Sequence, residues 1–143
     1  MYAKKTSVPV ERSKLEIESI LKKYGASSFG YMNQQQGAVI LFELNGKRIR
    51  FLLPLPPYPS QNATNKAIEE HNQLCRSKWR SLVLCIKAKL ESASSNITTL
   101  EQEFMAHIVL PNGRTVGEVM IPQIEASYED NKMPPMLSSG FKE

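Results

Sequence analysis

At 143 residues, 41% hydrophobic and 22% charged, the chain has the size and composition of one globular domain able to build a core without disulfides or a structural metal. No run approaches the ~18 uncharged apolar residues of a bilayer span, and the opening "MYAKKTSVPVERSK" has no apolar stretch of the secretory kind, which excludes a helical membrane protein and sets the expectation of a cytoplasmic one. The net charge of +4 conceals a polarity: residues 1–90 hold 15 Lys and Arg against 6 Asp and Glu, or +9, while residues 91–143 hold 3 against 8, or −5.

Residues 10–24 read as a helix. Val10, Ile17, Ile20, Leu21 and Tyr24 recur at three-and-four spacing, Gly25 stands where a left-handed C-terminal cap is wanted, and Lys22 and Lys23 lie in the last turn, which favours cations. Ser13 and Glu16 have capping-box spacing, so a later start is also open. Three strands follow, at 27–32, 38–44 and 47–55, separated by the polar turn "NQQQG" and then by Asn45-Gly46. Asn-Gly is the strongest short hairpin signal, because a type I′ turn needs positive φ at both central residues. A two-residue loop sets the register: Leu44 pairs with Lys47, Glu43 with Arg48, Phe42 with Ile49, Leu41 with Arg50 and Ile40 with Phe51. One face then carries Ile40, Phe42, Ile49, Phe51 and Leu53 as core. The other carries Leu41, Glu43, Arg48 and Arg50, with Glu43 and Arg48 as a cross-strand ion pair and no acid opposite Arg50.

"PLPPYPSQN" (54–62) cannot continue a sheet and reads as an extended connector. The longest element is a helix from about 64 to 93, whose buried stripe is Ile68, Cys75, Trp79, Leu82, Ile86 and Leu90. Leu84 and Cys85 fall outside that stripe, the pattern of a central helix packed on more than one side. Arg76, Arg80 and Lys87 share a flanking face, and Lys78 and Lys89 fall on a third. A further helix spans about 98–109, with Thr98 as N-cap and Glu101 completing a capping box. "PNGRT" is a turn, and "VGEVMIPQIEASYED" is helical until Pro122 ends or bends it. The fold class is α+β: an N-terminal helix, a three-stranded antiparallel sheet, a long central helix and one or two further C-terminal helices. It forms a single domain over 1–136 with a flexible tail at 137–143.

Catalytic signatures are sparse. There is no Gly-x-Ser-x-Gly, P-loop or Gly-x-Gly-x-x-Gly, and Cys85 lies about 21 Å along its helix from His71, so the two histidines and two cysteines cannot meet at one metal. A site of His71, Cys75, His107 and a carboxylate stays open by spacing, but no Cys-x₂-Cys or His-x₃-His pair supports it, and no cofactor and no metal are expected. Glu103 and His107, four apart, have the spacing of a base oriented by a carboxylate and are the residues of a weak-hydrolase alternative. The basic constellation is richer. Arg48, Arg50, Arg76, Lys78, Arg80 and Lys87, with Lys89 beside them, supply phosphate contacts. Of the nearby aromatics Phe29, Tyr31, Tyr58 and Trp79, Trp79 lies on the core stripe, and Tyr58 in the proline loop is the exposed candidate for stacking. The site expected for nucleic acid is therefore Arg48, Arg50, Arg76, Lys78, Arg80, Lys87 and Tyr58, unless the acidic end folds back and neutralises the basic part.

"YGASSFGY", "RSKWRSLVLCIKAKLE" and "TTLEQEFMAHIVLPNGRTVGE" leading to "MPPML" resemble a family of small bacteriophage- and prophage-encoded proteins with no assigned activity, over roughly residues 20–136. The resemblance implies a host bacterial cytosol and carries over no site residues. With it, the leading reading is a non-catalytic nucleic-acid-binding protein of phage DNA metabolism, holding single-stranded or duplex DNA rather than RNA. The alternative is a phage effector that binds and inhibits a host protein such as a nuclease or defence complex. The α-β-β-β-α order also resembles double-stranded-RNA-binding domains and, more loosely, the core of phage single-strand annealing proteins. From the former the chain departs at "NATNKAIEEH" and in the length of its second helix, and topology does not give function. Oligomeric state is open, since Met105, Met120, Met133 and Met136 fit either a core or a self-association surface.

Overall fold

The computed structural model describes residues 6–133; the boundary at 136 and the tail at 137–143 lie outside them. Helix α1 (Val10–Lys22) starts from Pro9, whose carbonyl accepts the N–H groups of Arg12 and Ser13. Ser13 is therefore not a cap but a fully buried residue of the first turns, with Ile17 and Leu21 below it. The helix ends as Gly25 predicts. Gly25 takes φ +89°, its N–H bonds the Lys22 carbonyl at 3.0 Å, and the Ala26 N–H bonds the Leu21 carbonyl at 3.1 Å, the two bonds of a Schellman motif.

Strands β1 (Ser27–Gln34), β2 (Gly37–Leu44) and β3 (Lys47–Pro54) form an antiparallel sheet in the order β1-β2-β3. All five expected β2–β3 pairs are present, and Asn45 and Gly46 have φ of +52° and +74°. The other hairpin is tighter than the sequence suggests. Gln34 pairs with Gly37, so Asn33 and Gln34 belong to β1 and only Gln35 and Gln36 turn.

Helix α2 (Asn65–Ser94) is capped by the Thr64 hydroxyl, which accepts from the Ala67 N–H at 3.1 Å. It lies beside α1 on one face of the sheet, and its buried residues begin at Trp79 and continue through Leu82, Val83, Ile86 and Leu90. Ile68 and Cys75, higher on the same stripe, are only half-buried. Phe42 and Phe51 stack beneath it, and Phe104 meets both edge-on at 6.1 Å. The helix is packed by α1, the sheet and α3 (Leu100–Phe104), leaving Cys85 exposed.

The helix expected over 98–109 is much shorter. Its N-cap is Thr99, with Gln102 closing the box, while the Thr98 hydroxyl donates to Glu103 Oε2 at 2.6 Å. A 3₁₀ turn, Met105–His107, follows, and the chain then straightens because β3 has an open edge to satisfy. The Val109 N–H bonds the Arg48 carbonyl at 2.8 Å, and Ile108 bridges to Ile49. Helix α4 (Val116–Asp130) begins with a complete capping box of Thr115 and Glu118 and continues past Pro122 for eight more residues. Proline removes the hydrogen bond that the Glu118 carbonyl would otherwise receive. Arg114 Nη2 supplies the replacement at 2.9 Å, so Pro122 does not end the helix. No helix of the described residues is long and apolar enough to cross a membrane.

Candidate nucleic-acid interface

Strand alternation decides first which cations can act together. Ile49 and Phe51 point into the core under α2, so Arg48 and Arg50 point to the opposite face of the sheet, beside Met32, Val39, Leu41 and Leu52. They share no surface with the cations of α2. Lys78 is exposed on the flank of α2 that also carries Lys89, whose ammonium donates to the Glu103 carbonyl at 2.9 Å. Arg76, Arg80 and Lys87 lie on the other flank, along the seam with α1. The six expected cations thus occupy three places, and one of those places holds three of them together.

The pairing on the open sheet face is also the reverse of the expected one. Glu43 and Arg48 stand opposite in register, yet among the described residues they form no ion pair, and the Arg48 guanidinium has no hydrogen-bond partner. Arg50 instead donates to Glu118 Oε1 at 2.6 Å and to the Gly113 carbonyl at 3.0 Å. The Glu118 carboxyl is held below the usual carboxylate range, first by the Thr115 N–H and then by Arg50.

At the seam, Glu16 of α1 accepts from Arg80 Nη1 and Lys87 Nζ, each at 2.7 Å. The Lys87 hydrogen bond is the main cause of a Glu16 carboxyl held below its ordinary value, against burial and with help from Arg80. Arg76 Nη2 bonds Glu69 at 2.9 Å and Gln73 at 2.7 Å. Arg12 and Lys23, four before and seven after Glu16, fall within about 40° of it around α1. Both are exposed, and neither side chain has a partner among the described residues. Glu91, exposed and four residues after Lys87, stands on the same flank of α2, so the seam carries five cations against the three carboxylates Glu16, Glu69 and Glu91, a surplus of two, in two rows each about 16 Å long. Arg12 and Lys23 escaped the sequence reading, although projecting the charges of α1 as those of α2 were projected puts them on the stripe of Glu16.

The expected aromatics are absent from this surface. Tyr58 is 73% exposed, but it sits edge-on to His71 at 5.0 Å, on the flank of α2 away from Arg76. Phe29 stacks on Phe42, and Trp79 is buried. The Tyr31 hydroxyl donates to Glu18 Oε2 at 3.3 Å, and burial together with Glu18 pushes its phenol well above the ordinary value. Among the described residues the ion pairs of the acidic end go to β3, where Glu101 meets Lys47 at 3.3 Å and Glu118 meets Arg50. None of these pairs reaches Arg12, Lys23, Arg76, Arg80 or Lys87.

Glu103 and His107 do not form a dyad. The Glu103 carboxylate is taken by Thr98, and the His107 ring stacks on Phe51 with centroids 3.9 Å apart. Burial, and then the charge of Lys89, push His107 below its ordinary value, against a hydrogen bond to the Arg50 backbone. Its folded pKa is depressed, so its contribution to stability is complete above the unfolded value of about 6.5 and is lost as pH falls through the folded value. Thermal unfolding followed against pH should therefore show Tm falling already below about pH 6.5. His107→Phe, which keeps the stacked ring, should flatten that upper part and leave the lower carboxylate-dependent fall from Glu16 and Glu118 in place.

No family model matches the chain, and neither a curated protein nor a solved structure matches it. What the fold and surface define is an α+β domain whose three-stranded antiparallel sheet carries its helical layer on one face, with a surplus of positive charge on that layer.

Proposed function

We propose that the protein is a non-catalytic nucleic-acid-binding protein, in the phage setting its sequence resembles, and that it holds the phosphate backbone of duplex DNA along the α1–α2 seam. The observation that carries this reading is Glu16, one carboxylate shared by two cations between two further unpaired ones, Arg12 and Lys23. Lys87 is exposed and Arg80 and Glu16 are only partly buried, so, with exposed ion pairs worth only ~0–1 kcal/mol, exchanging the carboxylate for a phosphate costs least at Lys87. With no exposed aromatic among the described residues at the seam, the contact is to backbone charge rather than to stacked bases, which favours duplex over single strands.

Anisotropy of labelled duplex and single-stranded oligonucleotides across a salt series tests this. Four phosphate contacts give a slope of about −3.6 in log affinity against log salt. Glu16→Gln removes the competing carboxylate and should tighten duplex binding, an effect opposite in sign to that of any removed cation. Absence of duplex binding at low salt would overturn the proposal, as would a preference for single strands that Tyr58→Ala abolishes. A stoichiometric complex with a host protein, recovered after nuclease treatment and abolished by charge reversal of Arg12 and Lys23, would transfer the seam to the effector reading.

A further inference from the structure

Among the described residues, the face of the sheet turned away from α1 and α2 is left open. It forms a shallow groove of about 620 Å³ with Met32, Val39, Leu41 and Leu52 as apolar floor and Arg48, Arg50 and Glu118 among its walls. Leu52 and Met32 are more than half exposed there. Helix α4 has the complementary feature. Beyond its first turns, which pack on the 3₁₀ turn, Ile121, Ile124 and Tyr128 project as one stripe at i, i+3 and i+7, with exposures of 53%, 44% and 85%. Along one side of that stripe run Glu125 and Glu129, and among the described residues neither has an ion-pair partner.

An apolar helical stripe and an apolar groove on the same molecule are not random surface exposure. Two α4 helices packed antiparallel on each other would bury the stripe but would bring the acidic rows of Glu125 and Glu129 together, a like-charge contact. The groove offers the opposite charge. Arg48 stands at its edge with no partner for its guanidinium among the described residues, beside an apolar floor that needs apolar side chains.

We propose that the protein is a symmetric dimer in which the Ile121–Ile124–Tyr128 stripe of each α4 lies in the open sheet groove of the other copy, with Arg48 paired to Glu125 or Glu129 across the interface. The arrangement is isologous and closed, since each copy contributes one groove and one helix. It does not depend on the nucleic-acid reading, because groove and seam lie on opposite faces of the sheet.

Sedimentation velocity over a concentration series, on the full chain, tests it. The expected result is a monomer–dimer equilibrium. Arg48→Glu should weaken dimerisation at least tenfold, and Glu125→Lys with Glu129→Lys should do the same. Combining all three substitutions should restore it, because the pair is rebuilt with its signs exchanged. Far-UV circular dichroism keeps a misfolded variant from being read as a monomer, and the rescued triple variant is itself proof of folding. A monomer at every concentration would overturn the proposal, whether the groove is then empty or filled by residues 134–143 of its own chain. So would a dimer that Ile124→Asp breaks but Arg48→Glu leaves unchanged, the signature of α4 pairing with α4.

Discussion

Arg12→Glu combined with Lys23→Glu is expected to abolish duplex binding at physiological salt while leaving the fold intact. The two substitutions turn a seam with a surplus of two positive charges into one with a deficit of two. Each phosphate that is no longer neutralised lowers the salt slope by about 0.9, so removing two of the four halves it. The effect should be uniform across sequences, because backbone contacts carry no base information. Stability should hardly move. Neither side chain has a partner among the described residues, and a glutamate in the first turn of α1 is favoured by the helix dipole about as much as one at its end is disfavoured. The obvious alternative, reversing Arg80 and Lys87, would place two carboxylates against Glu16 and confound weaker binding with weaker packing of α1 on α2. A variant of Arg12 and Lys23 that binds as well as the native chain would remove the seam from consideration.

What was legible in the sequence is what is encoded within a few residues. Asn45-Gly46 set a register correct at every expected pair, Gly25 ended α1, and the apolar period of α2 placed Trp79 in the core rather than on a stacking surface. The misses share a different character. Pro122 reads as a breaker until Arg114, outside the helix, is seen to satisfy the carbonyl it orphans. The helix at 98–109 stops early because an edge of β3, more than fifty residues back in the chain, takes the backbone of Val109. Arg50 looked unpaired because its acid is Glu118, 68 residues away. The candidate site failed to appear whole for the same reason. Alternation placed Arg48 and Arg50 off the core face, but only the packing of both helices on the other side of the sheet separates them from Arg76 and Arg80. Only the contact of α1 with α2 gives Glu16 its meaning.

Gly37→Ala should cost more stability than any other substitution considered, although in sequence Gly37 is merely the end of a polar turn. It opens β2 opposite Pro54 at φ +151°, a conformation that side-chain-bearing residues rarely adopt. A Cβ built there overlaps the Leu53 carbonyl oxygen and lies 3.0 Å from Leu53 C and 3.1 Å from Leu55 N. All three are main-chain atoms of β3 and of the residue that follows it, so no rotamer change relieves the contact. Either the strands separate at this end, breaking the Leu55 N–H bond to the Gln36 carbonyl and part of the ladder, or the backbone takes up the strain. Strained φ and overpacking each cost ~1–3 kcal/mol, and here they coincide, so a loss of several kcal/mol is expected. Gly30→Ala is the control in the same sheet. Its Cβ meets nothing within 4 Å, and the lower entropy of the unfolded chain should make the substitution neutral or stabilising by about 0.4–1 kcal/mol. In urea titrations Gly37→Ala should therefore lose midpoint while Gly30→Ala keeps or raises it. Equal midpoints would mean that β3 does not lie against Gly37, and the floor of the groove, which Val39 and Leu52 build two residues further along the same pair of strands, would have to be redrawn.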